Sequence, residues 1–173
     1  MARAPPILTA PRDNFPIRIL CTPPDFGRRA FAERLTLTCD GGVEGDRWAE
    51  HGWLRAKAGA PGPRIQVAII GKRLLDLTWD GGDDTPYPED TIASDMDFSE
   101  GNLPARTLLH AGSAVLRFSD VYNDGCIKWR IRNGQDAYGW VRVPEHCWLR
   151  LRVVFFQILQ AGQVCLEDKL RRV

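Results

Sequence analysis

The sequence predicts a mainly β fold in a single domain, either a barrel or a sandwich, with a few short helices. Short apolar stretches alternate with clusters of Gly, Pro and Asp, a spacing typical of β-barrels and sandwiches. Helical periodicity is scarce. A chain of 173 residues can bury one core without disulfides or metals. We therefore expect one domain over residues 17–173, after an extended or partly disordered lead-in, residues 1–16, which holds four prolines.

Six stretches have the composition of β-strands, being rich in β-branched and aromatic residues. They are PIRIL (16–20), LTLT (35–38), RIQVAII (64–70), SAVLRFSDV (113–121), HCWLRLRVVFFQIL (146–159) and GQVCLEDKL (162–170). The apolar run at 146–159 predicts one long strand that is buried on much of both faces. Short helices are expected near GKRLLDLTW (71–79) and QDAYGWV (135–141).

Charge and hydropathy exclude several classes of partner. The chain has 23 basic and 22 acidic residues, so it has no global field to attract nucleic acid or an anionic membrane. It has neither the apolar core of a secretory signal nor the run of about 20 apolar residues that a membrane helix needs. We expect a cytoplasmic protein with no nucleic-acid partner and no membrane partner.

The cysteine pattern predicts neither disulfides nor a zinc site. There are five cysteines, an odd number, and no C-x-x-C pair. Cys39, Cys147 and Cys165 follow or lie within apolar stretches, where a cysteine commonly serves as a small packing residue. Cys21 precedes Thr22-Pro23-Pro24, and its role stays open.

The fifth cysteine lies in the stretch VYNDGCIKWRIRNG (121–134), which follows a turn signal. If this stretch is a strand, Cys126 shares one face with Lys128, Arg130 and Arg132. If it is a helix that ends at Asn133-Gly134, the thiol lies at the positive end of the helix dipole. Both geometries favour the thiolate, which makes Cys126 a candidate for sulfur or metal chemistry. The alternative is a buried packing residue.

Two further segments are candidates for ligand binding. GGVEGDRWAEHG (41–52) has three glycines within five residues, so its amides can turn toward an anion that Arg47 pairs with. The alternative is a solvated β-turn. DMDFSEGNLPARTLLHAGSAVL (95–116) places Asn102 at a bend, where its amide can bond nearby backbone. The acidic loop DGGDDTPYPED (80–90) lacks the ligand spacing of a calcium loop.

In order and spacing, these segments resemble the MOSC domain, which is named for the C-terminal domain of molybdenum-cofactor sulfurase. The resemblance covers roughly residues 30–170 and rests on GGVEGDRW (41–48), GNLP (101–104), GC (125–126) and the terminal GQVCLEDKL (162–170). It implies a single-domain MOSC-type β-barrel. It also implies that Cys126 matches the cysteine that carries sulfur or binds the molybdenum cofactor in sulfurase-type members and ligates molybdenum in reductase members.

The resemblance implies molybdenum cofactor as the ligand, with Cys126 as both the catalytic residue and the metal ligand. The residues expected to contact this cofactor are Glu44, Gly45, Asp46, Arg47, Asn102, Lys128 and Arg130. A single thiolate suffices, because the dithiolene of the cofactor brings its own sulfurs and thiolate is a soft ligand. Pyridoxal phosphate is not expected, since it belongs to a separate desulfurase domain. The implied partner is either a cysteine desulfurase that donates sulfur or a molybdoenzyme that accepts it.

The chain departs from the family pattern at four positions. Trp48 stands where many members have histidine, and Gly125 where the reductase branch has proline. Arg106 and Glu167 each replace a common glycine. These departures weigh more against reductase chemistry on N-hydroxylated substrates, one alternative function, than against the fold. The other alternative is a non-catalytic barrel that binds a ligand or partner.

Overall fold

The computed structural model describes residues 9–25, 27–56, 59–79 and 90–173 as eleven strands and three α-helices. The strands are β1 (Phe15–Thr22), β2 (Ala30–Phe31), β3 (Arg34–Thr38), β4 (Gly42–Val43), β5 (Val67–Gly71), β6 (Ile92–Ser94), β7 (Leu108–Ala111), β8 (Ala114–Phe118), β9 (Val154–Gln160), β10 (Gly162–Cys165) and β11 (Lys169–Arg172). The helices are α1 (Trp48–His51), α2 (Lys72–Thr78) and α3 (Ile127–Val141), and two 3-10 helices cover Pro63–Ile65 and Pro144–Leu149.

Seven strands close into a barrel in the order β11-β7-β8-β9-β5-β6-β1, and β1 pairs with β11 to complete the ring. Among these strands, β5 and β6 are parallel and the other neighbours are antiparallel. A second sheet, β10-β3-β4, lies beside the barrel. The prediction of a mainly β barrel with a few short helices is confirmed.

The inner core fills the barrel with aliphatic and aromatic side chains from alternate positions of each strand. On β8, Ala114, Leu116 and Phe118 are buried and the residues between them are partly exposed. The same alternation puts Phe156 of β9 in this core, where its ring lies 5.5 Å from that of Phe118 in an edge-to-face contact. Leu37 of the second sheet contributes to the same core.

A second apolar cluster, here called the outer layer, lies between the outside of the barrel wall and the helices. Ile70 of β5, Ala93 of β6 and Phe155 of β9 face outward into it. They are covered by Trp48, Leu74, Leu75, Trp129 and Val141, which come from α1, α2 and α3. The outer layer is therefore where the helices that carry two of the candidate segments meet the barrel.

Three of the six predicted strands are corrected. Residues 146–159 do not form one strand, because the 3-10 helix Pro144–Leu149 occupies their first third and Arg150 then adopts a left-handed conformation, φ 48°. Strand β9 begins only at Val154. Residues 162–170 contain a turn rather than a continuous strand, so β10 pairs with β3 while β11 pairs with β7 and β1. Predicted strand 64–70 starts later, at Val67.

The predicted helices are confirmed in α2 and α3, and α3 begins eight residues earlier than expected. The first part of the lead-in, residues 1–8, and residues 80–89 of the acidic loop lie outside the described residues. Within the described ranges, no helix is long and apolar enough to span a membrane.

Candidate functional site

Cys126 occupies the N-cap of α3 and is exposed to solvent. Gly125 precedes it with φ 95°, a conformation that disfavours any side chain, and its N–H donates to Asn123 Oδ1 at 2.9 Å. The helical alternative for this stretch is thus confirmed, and the helix is interrupted at Gly134, where φ is 83° and ψ is 166°. The alternative of a buried packing residue does not describe this thiol.

A buried charged pair lies beneath the Cys126 turn. A Cβ atom built on Gly125 would lie 3.7 Å from Arg152 Cγ. The Arg152 guanidinium stacks 5.1 Å from the ring centroid of Trp129, which is fully buried on α3. The guanidinium also pairs with Asp90 at 3.5 Å, with both side chains less than a tenth exposed. The start of α3 is therefore fastened to the barrel through Arg152.

An exposed ion pair holds the loop before Cys126. Arg142 Nη1 lies 2.6 Å from Asp124 Oδ2, so the end of α3 is tied to the loop that enters it. Arg142 also donates to Tyr138 Oη at 2.9 Å and stacks on the same ring. Of the cofactor contacts predicted on this helix, Lys128 and Arg130 are both exposed, and Arg130 lies 5.8 Å from the Tyr138 ring centroid.

The loop between β4 and α1 uses its amides to bond the protein itself. The N–H of Glu44 donates to Thr36 O, that of Asp46 to Val43 O, and that of Arg47 to Pro23 O. Asp46 Oδ1 accepts the N–H of Trp48 at 2.7 Å, which starts α1. These amides therefore do not form an anion nest, and an anion in this loop would depend on the Arg47 side chain.

Asp46, Arg47 and Trp48 line a cleft of about 120 Å³ over the barrel wall, which Thr91 also lines. Gly45 lies in the loop with φ 79°, a left-handed value that glycine accommodates. Trp48, which replaces a common histidine of the MOSC pattern, is buried in the outer layer. Its role here is packing, and the cleft has no imidazole at that position.

The side chain of Asn102 links distant parts of the chain through hydrogen bonds. Its Nδ2 donates to Arg12 O and Asp97 O, each at 2.7 Å. Its Oδ1 accepts from Arg12 Nε at 3.1 Å and from Arg172 Nη2 at 2.7 Å. The side chain is buried and its donors are used, so a contact between Asn102 and a cofactor stays a prediction that would require one of these bonds to break.

The structure adds a second cleft that the sequence analysis missed. Glu100, Tyr122, Asn123 and Arg150 line a cavity of about 240 Å³ beside the loop that leads to Cys126. Arg150 donates to Leu103 O at 2.6 Å, and burial lowers the pKa of its guanidinium while the Glu100 carboxylate opposes that shift. Only the position of Glu100 beside the GNLP motif signalled this site in the sequence.

Cys126 lines neither cleft, and the buried pair of Asp90 and Arg152 is adjacent in sequence to one lining residue of each cleft. Asp90 precedes Thr91 of the 120 Å³ cleft, and Arg152 precedes Val153 of the 240 Å³ cleft. The structure brings the 41–52 loop and the start of α3 onto the same outer layer, because Trp48 and Trp129 both pack in it. It does not bring Asn102 into either cleft.

The other four cysteines differ from the sequence prediction in part. Cys39 is exposed in the turn after β3, so its prediction as a packing residue was wrong. Cys21 is buried, and burial raises the pKa of its thiol to about 11. Cys147 accepts a hydrogen bond from Tyr122 Oη at 3.4 Å, which raises the pKa of Tyr122 to about 12. Cys165 is partly exposed.

Among the described residues, no three His, Cys, Asp or Glu side chains are grouped so that they could hold a metal ion.

Comparison with known proteins gives a likeness in structure alone. No family model and no curated protein matches the sequence. Among solved structures, the YuaD protein from Bacillus subtilis superposes with a TM-score of 0.59 at 19% identity, over 91% of this chain and 94% of that one. YiiM from Escherichia coli gives 0.59 at 15% identity, over 92% and 69%. A hypothetical protein gives 0.60 at 16%, over 92% and 68%. At these identities the likeness shows a shared fold.

Proposed function

We propose that this chain is a MOSC-type protein that carries sulfane sulfur or binds molybdenum cofactor through Cys126. One observation carries the proposal, an exposed thiol at the N-cap of α3 on a barrel with the fold of YiiM and YuaD. The fold likeness is consistent with the MOSC resemblance in the GGVEGDRW, GNLP and GC motifs.

The donor set fits a ligand that needs one protein thiolate. Cys126 supplies a soft sulfur, and the dithiolene of a molybdenum cofactor would supply the other sulfur ligands. When bound, such a cofactor would supply two-electron redox or sulfur chemistry. The exposed basic residues that follow Cys126 on α3, Lys128 and Arg130, would hold its polar parts.

The sulfur-carrier version needs only the thiol and a donor. The Cys126 thiolate would attack the outer sulfur of a donor persulfide, form a new S–S bond and release the donor as a thiolate. The donor's S–S bond breaks as the new bond forms, so the oxidation state of the sulfur pair passes from donor to Cys126 unchanged. Exposure of the thiol allows a protein donor to reach it.

The experiment is metal and sulfur analysis of protein purified after expression with abundant molybdenum cofactor. We expect molybdenum or cyanide-releasable sulfur on the native protein and neither on Cys126→Ser, because the substitution removes the thiol. Serine is a favoured N-cap residue, so α3 should keep its start. Cys39→Ser is the matched control, since Cys39 is the other exposed thiol among the described residues. The proposal would be refuted if the native protein carried neither molybdenum nor cyanide-releasable sulfur. It would also be refuted if Cys126→Ser and Cys39→Ser lost these loads equally.

The non-catalytic alternative predicts a different thiol behaviour. A sulfur carrier should react with a disulfide reagent at Cys126 near neutral pH faster than at Cys39, whereas a simple binding barrel gives similar rates at both. Cys21 should stay unreactive until the protein unfolds, because it is buried and protonated. The reductase alternative rests on the resemblance alone.

A further inference from the structure

The first half of α3 presents an apolar face to solvent beside Cys126. Ile127 is 53% exposed and Ile131 is 76% exposed. Since successive residues of an α-helix are 100° apart, Ile127 and Ile131 lie one turn apart on the same side. Trp129, about 200° away from each, is the side chain that turns into the outer layer. The two isoleucines therefore point away from the core, because the helix turns Trp129 toward it.

Basic side chains surround this apolar pair. Lys128 and Arg130 are exposed on either side of it, and Arg132 follows one turn after Lys128. Residues 127–141 hold three basic residues and one acidic residue, Asp136. The α3 surface, defined as Ile127, Lys128, Arg130 and Ile131, thus combines two large apolar side chains with a positive rim.

We propose that the α3 surface docks an acidic protein segment that carries an apolar anchor, and that docking delivers this partner to Cys126. The proposal rests on the proposed function, because the partner would be the sulfur donor or the acceptor. Charge complementarity selects the occupant. A negative rim on the partner matches Lys128 and Arg130, while its anchor covers Ile127 and Ile131.

Two other occupants fit the surface less well. A second copy of this chain would bring the basic rims of two α3 helices together, and like charges across an interface oppose docking. A membrane surface is bound by helices with a long apolar face and bulky anchors, whereas α3 offers two isoleucines before its break at Gly134. The surface is also fixed in place, since Trp129 is fully buried beneath it.

The test uses three sets of fluorescent 12-residue peptides: acidic with two Leu anchors, acidic without anchors, and basic with anchors. We expect the acidic anchored set to bind most tightly, with an affinity that falls as salt rises. Ile131→Ser and Arg130→Glu should each weaken binding by about tenfold or more. Matched controls are Leu159→Ser and Arg171→Glu, an exposed apolar and an exposed basic residue on β9 and β11.

Several results would overturn the proposal. These are no binding by the acidic anchored set, equal binding by the basic set, or variants at Ile131 and Arg130 that bind as well as the native protein. A concentration-dependent dimer that Ile131→Ser abolishes would assign the surface to a second copy. Binding to vesicles of phosphatidylserine and phosphatidylcholine that depends on Ile131, without peptide binding, would assign it to a membrane.

Failure of the docking proposal is separable from failure of the proposed function. Cys126→Ser should abolish sulfur or molybdenum loading and leave peptide affinity unchanged. Ile131→Ser should do the reverse when a small-molecule persulfide, which needs no docking, is the sulfur source. Loss of peptide binding in Cys126→Ser would contradict the docking proposal, because Cys126 makes no side-chain cap bond that the substitution could remove and serine is a favoured N-cap residue.

Discussion

The inner core and the outer layer differ in whether they bury polar atoms that have no hydrogen-bond partner. The inner core contains aliphatic and aromatic side chains inside a closed ring of strands. The outer layer buries the indole nitrogens of Trp48 and Trp129, and the Asp90–Arg152 pair that stacks on Trp129. Among the described residues, both indole nitrogens and several atoms of the pair have no hydrogen-bond partner. Buried polar atoms without partners reduce stability. The candidate site therefore lies on the layer whose buried polar atoms make fewer of their possible hydrogen bonds.

Adjacent residues of β9 give the sharpest comparison of the two layers. Phe156 is fully buried in the inner core, whereas Phe155 faces outward and meets the exposed Trp53 at 5.9 Å. We expect Phe156→Ala to lower the free energy of unfolding by about 4 kcal/mol and Phe155→Ala by about 2 kcal/mol, because the outer layer can collapse into the gap. Urea denaturation measures both. Equal losses would mean that the two layers are packed alike.

The Asp90–Arg152 pair tests the polar side of the comparison. Arg152→Met should lower the free energy of unfolding by about 3 kcal/mol, because it leaves the Asp90 carboxylate buried without a cation. The double variant Asp90→Leu/Arg152→Met should be more stable than Arg152→Met alone. The exposed pair Arg64–Asp120 is the control, where Arg64→Ala should cost under about 1 kcal/mol. Additive losses in the double variant would contradict the expectation.

The sequence predicted the barrel but not how its strands end. The turn signals and the β-branched and aromatic composition were local, so β1, β3 and β8 could be placed. The error at 146–159 has a local cause that was overlooked: Pro144 opens the 3-10 helix, and Arg150 in a left-handed conformation ends it. Apolar composition alone did not distinguish a strand from this helix.

The candidate site could be predicted only where neighbouring residues of one segment determine its structure. The turn before Cys126 and the helix break at Gly134 follow from adjacent residues, whereas the local pattern left both a strand and a helix open for the stretch between them. The 240 Å³ cleft joins Glu100, Asn123 and Arg150, which are separated by tens of residues, so its existence depends on strand pairing. The hydrogen bonds that Asn102 accepts from Arg12 and Arg172 also depend on the pairing of distant segments.

Two departures from the MOSC pattern coincide with backbone strain. Arg106 has φ 72° and Glu167 has φ 68°, and both replace a common glycine. Arg106→Gly should raise the free energy of unfolding by about 0.5–1 kcal/mol, since the relief of left-handed strain exceeds the entropy that glycine adds to the unfolded chain. Glu167→Gly should gain less, because it also removes the ion pair with Arg18 at 2.9 Å.

The control for this strain is Arg106→Ala, which shortens the side chain but keeps its Cβ. It should leave the free energy of unfolding near the native value, because the left-handed conformation disfavours alanine as much as arginine. Thermal or urea unfolding distinguishes the two variants. A stabilising alanine would show that the arginine side chain, and not its backbone, is responsible.

The smallest expected effect belongs to the indole of Trp48, and it asks whether the unpartnered nitrogens of the outer layer carry a cost. Trp48→Phe removes apolar area but also removes an N–H that has no hydrogen-bond partner in the part of the chain that the structure describes. The two effects oppose each other, so the free energy of unfolding should change by less than about 0.5 kcal/mol. Trp129→Phe should cost more, because it weakens the stacking with Arg152 at 5.1 Å. A loss of about 2 kcal/mol or more in Trp48→Phe would contradict this balance, because lost packing would then outweigh the removal of the N–H.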